Sequence, residues 1–475
     1  MPIPDDNHLS ENQRAWLELA GWLTAIAMPP LAWWCALRQG TPHDGAVFIG
    51  ILAGTSAMWI FKLVPAFVPA LFALLAVILF DIAPASVATA GFASNGFFML
   101  LSVFAIGALM TKSGLTRRVS LWMLRQVPDT PGWRQAGLCL YGLALTPLIP
   151  SQLARGAIVA PFLSMLVDAG GKRRDAAAGL FASAVGGVSL AAAVCLTGKP
   201  ANLLAFGLLD SQTQFAFDWL PWLCAASLAG ALLLAAHFAT MRLLFCYPAP
   251  PGMPDTLPQR RAGTPGPMSR TEWGALAAIG LILIGTLSAP YHRVDIPWLA
   301  LAVLVALLLF GALRNEDLNQ RVDWSALIFV GAILSWAPIM DITGIDGQIA
   351  ASLGGLGALM KSDLPAFLAL LCPACVLLRL ALPELVAEIL LLTLLLPLAQ
   401  AAGVSQWLIG FAVLTMCEAY QFPYQSPYHL YLDGQLAAPT GYDRSLLLRY
   451  NLAMTLARAL TLFVSLPFWS WLNIV

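Results

Sequence analysis

Long apolar segments, separated by short polar ones, follow one another along almost the whole chain. A membrane-spanning helix needs about 20 predominantly apolar residues. By this measure, continuous spans are predicted at residues 16–37, 45–61, 63–80, 96–111, 219–246, 272–290, 297–313, 323–341 and 446–470. Two further spans, 177–209 and 405–432, are interrupted by polar residues. The pattern therefore predicts an all-α integral membrane protein with about 11 transmembrane helices.

Two more apolar segments, 136–168 and 364–400, are long enough to enter the membrane and turn back, and prolines break them. We interpret them as re-entrant hairpins. Each hairpin is followed by an interrupted span, at TGKPAN (197–202) and at FPYQSPYH (422–429). Broken helices survive in a bilayer only against protein or a water-filled cavity. Paired interruptions in the two halves of a membrane chain point to the binding site of a transporter.

The second half of the chain repeats the order of the first. FFMLLSVFAIGALMTKSGL (97–115) matches IFVGAILSWAPIMDITGI (328–345), and a hairpin and a broken span follow each. An odd number of spans per repeat makes the repeats antiparallel in the membrane, an inverted repeat common in transporters. The predicted divisions are an N-terminal segment with the first span (1–44), a first scaffold region (45–135), a first transport region (136–247), a cytoplasmic linker (248–270), a second scaffold region (271–362) and a second transport region (363–475).

Composition supports a membrane protein and gives no support for nucleic acid as a partner. The 475 residues are 59% hydrophobic and 11% charged, whereas soluble domains carry about 25% charged residues. Lysine plus arginine balances aspartate plus glutamate at 25 each, which gives no indication of nucleic acid as a partner. Cys372 and Cys375 form a CxxC inside a hydrophobic segment, which favours buried thiols over a redox or zinc pair. No cofactor or metal ion is predicted.

Basic residues predict the orientation in the membrane, because cytoplasmic loops carry an excess of Lys and Arg. If the N-terminus is cytoplasmic, one side of the membrane receives Lys62, the basic run at 112–125, residues 172–174, the linker at 260–270, and Arg314 with Arg321. The polar N-terminal stretch shows no cleavable signal peptide. We therefore expect a multi-pass protein of the inner (cytoplasmic) membrane with a cytoplasmic N-terminus.

The hairpins and breaks also carry short motifs. Counting back ten residues from Pro161 and Pro397 reaches Ser151-Gln152-Leu153 and Ala387-Glu388-Ile389. The breaks read GKPAN (198–202) and QSPYH (425–429), and the chain also contains GFAS (91–94) and SGL ending at 115. In order and spacing, these features resemble the divalent anion/sodium symporter family of the ion transporter superfamily. That family carries Ser-Asn-Thr at each hairpin tip and a Gly-Thr-Pro-Pro-Asn-like break.

The resemblance implies a homodimer in which a transport domain of hairpins and broken helices slides past a fixed scaffold like an elevator. It also implies a small anionic substrate, such as a dicarboxylate or sulfate. In each repeat the family's tip and break build a sodium site from hydroxyls, Asn and backbone carbonyls. By position, the expected substrate contacts are Ser151, Gln152, Arg155, Lys199, Asn202, Ser426 and His429.

The sequence departs from the family at these expected sodium sites. Gln152 and Leu153 replace the Asn and Thr of the first tip, and Lys199 replaces the Thr of the first break. An ammonium near a cation site repels sodium strongly at low dielectric, so we interpret Lys199 as a tethered cation in place of a bound one. Glu388 and His429 stand where the second repeat of the family has Asn, and together they are typical of a proton relay. Sodium coupling is disfavoured, while proton coupling and anion exchange both stay open.

Some of these residues have a second, structural interpretation. Arg155 could pair with a carboxylate such as Glu388, and His429 could satisfy a carbonyl freed by the break. Glu384 lies four residues before Glu388 and on the same face of a helix. For the other charged residues at membrane depth we expect structural pairing: Arg379, Glu418 and Arg458.

Two rival functions compete with anion transport. A cation/proton antiporter of the same superfamily would keep the fold, but two buried basic groups at the site disfavour it. An integral-membrane enzyme could use Glu384, Glu388 and His429 as acids, bases or metal ligands, but no HExxH or comparable motif occurs. The sequence therefore predicts a secondary active transporter of a small anion and not an enzyme.

Overall fold

The structure is a computed structural model, and it describes residues 11–474 except 62, 116–117, 119–129, 148, 170–172, 246–265, 293, 295, 346, 349–352 and 437–440. Every regular element among these described residues is a helix. Six helical stretches among the described residues are long and apolar enough to cross a membrane, judged by length and composition, when Trp324–Thr343 is counted as one stretch. Lys62, most of the predicted basic surface segment after residue 112 and most of the predicted linker lie outside the described residues.

The first half of the chain contains eleven described α-helices. They are α1 (Glu11–Arg38), α2 (His43–Ile60), α3 (Phe67–Leu79), α4 (Ala85–Ala88), α5 (Asn95–Ser113), α6 (Pro131–Leu145), α7 (Gln152–Ala169), α8 (Arg174–Ser189), α9 (Pro200–Leu208), α10 (Ser211–Ala216) and α11 (Trp219–Leu244). Helices α6 and α7 form the first hairpin, and α8 and α9 are the two halves of the first broken span.

The second half repeats this order. Its described helices are α12 (Arg270–His292), α13 (Ile296–Leu309), α14 (Asn315–Arg321), α15 (Trp324–Leu334), α16 (Trp336–Thr343), α17 (Gly354–Ser362), α18 (Leu364–Ala381), α19 (Glu384–Ala402), α20 (Gln406–Cys417), α21 (Pro427–Gln435) and α22 (Arg444–Trp471). Helices α18 and α19 form the second hairpin, and α20 and α21 are the halves of the second broken span.

The predicted continuous span 323–341 is divided into α15 and α16 at Ser335. The hydroxyl of Ser335 accepts a hydrogen bond from the backbone N–H of Gly91 (2.9 Å) and donates to the carbonyl of Gly331 (3.1 Å). A side chain at Gly91 would overlap the backbone of this region. The segment before α5 therefore interlocks with the matching helix of the other repeat, which joins the two halves away from the hairpins.

The hairpins exchange contacts between the two halves in addition to packing within their own repeats. Helix α7 packs against α21, and α19 packs against α9, so the second arm of each hairpin contacts the broken span of the other repeat. Within each repeat, α6 packs on α8 and α18 packs on α20. At the α6–α8 contact the backbones touch, because a Cβ at Gly142 would lie 2.6 Å from the carbonyl carbon of Gly187. This exchange brings both hairpin tips and both helix breaks to one place.

Candidate functional site

The two hairpin tips and the two helix breaks surround a cavity of about 390 Å³. This volume lies within the range of about 300–1,000 Å³ found for small-molecule sites. The tips contribute residues 151–153 and 381–385, with Glu388 one turn further on. The breaks contribute residues 199–201 with Tyr424, Gln425, Pro427 and Tyr428, and the remaining lining residues are Ile60, Phe104 and Asp323. The four interruptions seen in the sequence therefore share one cavity.

Four helices begin at this cavity. Helix α7 starts at Gln152, α9 at Pro200, α19 at Glu384 and α21 at Pro427, and all four residues line the cavity. A helix N-terminus presents free N–H groups and the positive end of the helix dipole, both of which favour an anion. The backbone alone therefore gives the cavity a partly positive character.

Arg155, in the first turn of α7, is fully buried, and its guanidinium lies among backbone carbonyl oxygens. Its Nη1 donates to the carbonyl of Ile149 at the first tip (2.5 Å) and to that of Gly198 in the first break (2.7 Å). Its Nε and Nη2 both donate to the carbonyl of Val188 near the end of α8 (3.1 and 2.8 Å). Carbonyls at helix ends and tips lack intrahelical donors. The N–H groups of the guanidinium donate the missing hydrogen bonds.

Arg379 makes the same set of contacts in the second repeat, but it lies on the first arm of its hairpin, α18. Its Nε donates to the carbonyl of Cys417 at the end of α20 (2.6 Å), Nη1 to that of Leu382 at the second tip (2.8 Å), and Nη2 to that of Gln425 in the second break (2.6 Å). Each guanidinium thus joins one tip, one helix end and one break. We call these carbonyl sets the first cage (Ile149, Val188 and Gly198) and the second cage (Leu382, Cys417 and Gln425).

The ammonium of Lys199, beside the start of α9, lies among carboxylates instead. Its Nζ is 2.5 Å from Oε1 of Glu388, 3.1 Å from Oε1 of Glu384 and 3.8 Å from Oε2 of Glu418. It also donates to the carbonyl of Leu414 (3.1 Å). The side chains of Lys199, Glu388 and Glu418 are almost completely buried, whereas 13% of the Glu384 side chain is exposed. We call Lys199, Glu384, Glu388 and Glu418 the Lys199 cluster.

Two more side chains hold Glu418 in this cluster. Its Oε1 accepts a hydrogen bond from Nε2 of Gln152 at the first tip (2.8 Å). Its Oε2 lies 3.5 Å from Nη1 of Arg458 on α22. Three carboxylates therefore share two cations, Lys199 and Arg458.

Comparison with known proteins places the chain in a family. Residues 16–429 match the family model described as "Sodium:sulfate symporter transmembrane region". The chain belongs to this family. The resemblance to divalent anion/sodium symporters that the motifs indicated is thereby confirmed.

Relatives in this family include transporters of named organic acids. "Putative malate transporter YflS" of Bacillus subtilis is 23% identical over 342 residues, which cover 69% of this chain and 71% of that protein. The "L-tartrate/succinate antiporter" of Escherichia coli K12 is 22% identical over 281 residues, covering 56% and 57%. A "Membrane protein" of Cupriavidus necator is 28% identical over 302 residues, covering 60% of this chain and 58% of that protein. The chain therefore spans less than two thirds of the Cupriavidus relative.

A solved structure has the same fold. The YdaH transporter of Alcanivorax borkumensis aligns with a TM-score of 0.53 at 13% identity, over 91% of this chain and 99% of that chain. At this identity the likeness shows the fold alone. The predicted all-α integral membrane fold is confirmed.

The expected substrate-contact and ion-coupling residues of this family member separate into two groups. Among the described residues, Ser151, Gln152, Lys199 and Glu388 line the cavity. Arg155, Asn202, Ser426 and His429 are fully buried and lie outside that lining. Arg155 was expected to contact the substrate or a carboxylate such as Glu388, and the structure gives its guanidinium backbone carbonyls instead.

Asn202 and Ser426 act on the two breaks. Nδ2 of Asn202 donates to the carbonyls of Ala192 (2.6 Å) and Cys195 (2.8 Å), which stabilises the irregular backbone before α9. The hydroxyl of Ser426 caps α21 by accepting a hydrogen bond from the backbone N–H of His429 (3.3 Å). Both side chains therefore hold the breaks in shape from behind the cavity.

His429 lies behind the cavity wall among aromatic side chains. Its Nδ1 is 3.1 Å from the hydroxyl of Tyr420, and its Nε2 is 3.4 Å from that of Tyr442. Its ring also meets Phe181 at a centroid distance of 4.8 Å. Both ring nitrogens thus contact tyrosines, and the partner of Glu388 is Lys199. The hydrogen bonds of the described residues therefore do not include a direct one between Glu388 and His429.

The second hairpin tip lies earlier in the chain than the motif count predicted. Helix α19 begins at Glu384, so residues 387–389 lie about one turn inside it. The count failed because Pro397 lies 14 positions after Pro383, whereas Pro161 lies 11 positions after Pro150. Counted from the tip prolines, Arg155 and Glu388 both lie five residues after the tip and are positional equivalents.

Sequence reasoning named Arg379, Glu384 and Glu418 but not all the partners that the structure gives them. The structural pairing expected for Glu418 and Arg458 is present at 3.5 Å. Arg379 was expected to pair structurally, and it fills the second cage. A signal existed, because Arg379 lies four residues before the tip proline Pro383 and Arg155 lies five residues after Pro150. Nothing comparable pointed to Glu418, whose partners lie far away along the chain.

Proposed function

We propose that this chain is a secondary active transporter, not an enzyme, that moves a small carboxylate anion across the cytoplasmic membrane without sodium. The observation that supports sodium independence is the pair of guanidiniums in the two cages. The family resemblance implies a sodium ion at the tip and break of each repeat, and these are the places where Arg155 and Arg379 lie. A sodium ion beside a buried guanidinium would be strongly repelled at low dielectric.

We therefore assign the role of tethered cation to Arg155 and Arg379, whereas the sequence alone favoured Lys199. Lys199 was interpreted as the substitute for sodium, but its ammonium is already matched by carboxylates. Arg155 and Arg379 donate only to neutral carbonyls in the contacts given above, as a bound cation would receive oxygen ligands. The planar guanidinium, with five donors, fits a cage of several carbonyls better than an ammonium does.

An anionic substrate is supported by the backbone and by the relatives. The four helix N-termini at the cavity favour negative charge. The Bacillus relative is named for malate and the Escherichia relative for tartrate and succinate, and a cavity of about 390 Å³ has room for such acids. Ser151, Gln152 and Lys199 are the proposed contacts, with dicarboxylates as the favoured class and sulfate as the alternative.

An elevator mechanism in a homodimer completes the proposal. The hairpins and broken spans supply one side of the cavity, while Ile60 on α2, Phe104 on α5 and Asp323 beside α15 supply the other. A sliding boundary between these two groups of helices would carry the cavity across the membrane. The N-terminus is proposed to be cytoplasmic, following the distribution of basic residues.

The test is uptake into proteoliposomes that contain the purified protein. The labelled panel is succinate, L-malate, L-tartrate and sulfate, each measured with the unlabelled acid inside. We expect at least one dicarboxylate to accumulate at the same rate in sodium chloride and in choline chloride. Strict dependence on sodium would overturn the assignment of the cages, and failure to transport any panel member would overturn the anion assignment.

A further inference from the structure

We infer that the Lys199 cluster is the proton site of this transporter, and that protonation of the cluster releases the ammonium of Lys199 to bind a carboxylate of the substrate. The inference rests on the proposed function and names its co-substrate, the proton. It is carried by the positions of one ammonium and three carboxylates, on the first break, the second hairpin and the second broken span. Lys199, Glu384 and Glu388 line the cavity, and Glu418 lies behind them.

The first step concerns the hydrogen bonds of the ammonium. A lysine ammonium has three donors, and Nζ of Lys199 donates to Glu388, Glu384 and the carbonyl of Leu414. All three donors are therefore occupied by the protein. A substrate carboxylate can bind Lys199 only by replacing one of these acceptors. Both glutamates line the cavity, and Glu384 is the more exposed of the two.

The second step concerns charge. With Arg458 included, the cluster holds three acids and two bases. A substrate anion adds negative charge and leaves the displaced glutamate buried without a cation, which is strongly unfavourable. A proton taken up from the aqueous cavity onto a carboxylate oxygen of Glu384 or Glu388 cancels that charge. One proton then accompanies each substrate charge that takes the place of a glutamate, and it leaves when the substrate is released on the other side.

Charged and titratable side chains on several neighbouring helices face the cluster. The charged or titratable neighbours are Arg155 on α7, Cys375 and Arg379 on α18, Cys417 on α20, Tyr424 in the second break, Tyr428 on α21, Arg458 on α22 and Asp323 directly before α15. Arginine stays charged, and buried cysteine and tyrosine stay neutral near pH 7. Asp323 caps α15 by accepting the N–H of Ala326 (3.0 Å).

The test separates proton coupling from transport itself. Proteoliposomes with a pH-sensitive dye trapped inside receive labelled succinate or L-malate, with the membrane potential clamped by potassium and valinomycin. Counterflow at equal pH on both sides measures transport without net proton movement. Net uptake is then measured with a more acidic outside solution, between about pH 6.5 and about pH 8, where these acids are largely ionised.

We expect an acidic outside to increase net uptake, by up to about tenfold per pH unit for one coupled proton, and the lumen to acidify as substrate enters. If counterflow occurs but net uptake shows neither a pH effect nor lumen acidification, the proton site is overturned and the proposed function stands. Absence of counterflow for both acids, and for the rest of the panel, would overturn the proposed function and this inference with it.

Variants locate the effect in the cluster. Glu388→Gln should lower the ratio of pH-driven uptake to counterflow by about tenfold or more, because the amide cannot take up the proton. Glu316→Gln, at an exposed position on α14, is the matched control and should keep the ratio of the wild type. Where Glu388→Gln does not fold, Glu384→Gln takes its place with the same expected fall. Counterflow with an unchanged ratio in both variants would contradict the assignment.

Discussion

The buried basic side chains around the cavity lie in two kinds of surroundings. Arg155 and Arg379 donate to neutral backbone carbonyls, whereas Lys199 lies among three carboxylates. A carbonyl gains no proton near neutral pH, so the charge of a cage is constant. A carboxylate can gain one, so the charge of the cluster can change. The constant charge suits a substitute for a bound cation, and the variable charge suits a coupling site.

The two cages also differ from one another in an instructive way. Arg155 enters the first cage from the second arm of its hairpin, and Arg379 enters the second cage from the first arm of its hairpin. Both nevertheless reach one tip carbonyl, one helix-end carbonyl and one break carbonyl. The cage is common to the repeats, while the position that supplies its cation is not.

Removing a cage arginine should have the largest effect on stability. In Arg155→Ala or Arg379→Ala, three buried carbonyl groups would lose their donors at about 1–3 kcal/mol each, or about 5 kcal/mol in total. Thermal unfolding in detergent, followed with a thiol-reactive dye, should show a large fall in the transition temperature. Arg38→Ala, at an exposed position on α1, should unfold close to the wild type.

The same variants sharpen the comparison through their response to salt. A cage without its guanidinium offers oxygen ligands, which hard cations prefer. Sodium chloride should therefore raise the transition temperature of Arg155→Ala more than choline chloride does. An equal response to the two salts would argue against the cages as substitutes for sodium sites.

Removing the cluster's ammonium should have the next largest effect. Lys199→Met leaves buried carboxylates without their cation and should cost about 3 kcal/mol of stability, with loss of uptake of every panel acid. The double variant Lys199→Met with Glu388→Leu should recover much of the lost stability, because both partners are replaced by apolar groups. It should not recover uptake. A stable single variant that still transports would contradict the role of Lys199.

The smallest effect is expected at an ion pair away from both sites. On α14, burial raises the pKa of Asp317, but the hydrogen bond from Lys112 (2.5 Å) and the N–H of Arg314 (2.9 Å) outweigh it and lower the pKa. A carboxyl with a lowered pKa adds stability above its unfolded value of about 3.9, and this is lost as pH falls through the folded pKa. Asp317→Asn should cost about 0.5 kcal/mol at pH 7. Urea unfolding near pH 7 and near pH 3 should show the difference disappearing in acid.

The positions of the hairpins and breaks could be predicted because apolar runs and their interruptions are local properties of the sequence. The first tip was placed correctly at Ser151, directly before α7. The second was placed inside α19, since the count ran from Pro397 and assumed that both hairpin arms have the same spacing. A spacing rule fails where one repeat has gained a turn of helix.

The sequence by itself determined the membrane class, the family, the repeated order of the two halves and the presence of charge within apolar segments, since each is written in local patterns of apolar, polar and proline residues. Only the tertiary structure decided which oxygens each charge meets. Lys199 reaches Glu384 across 185 residues and Arg155 reaches Gly198 across 43. In a low-dielectric interior the partner within a few ångströms decides what a charge does. The exchanged packing of the two hairpins, which no local pattern records, chooses that partner.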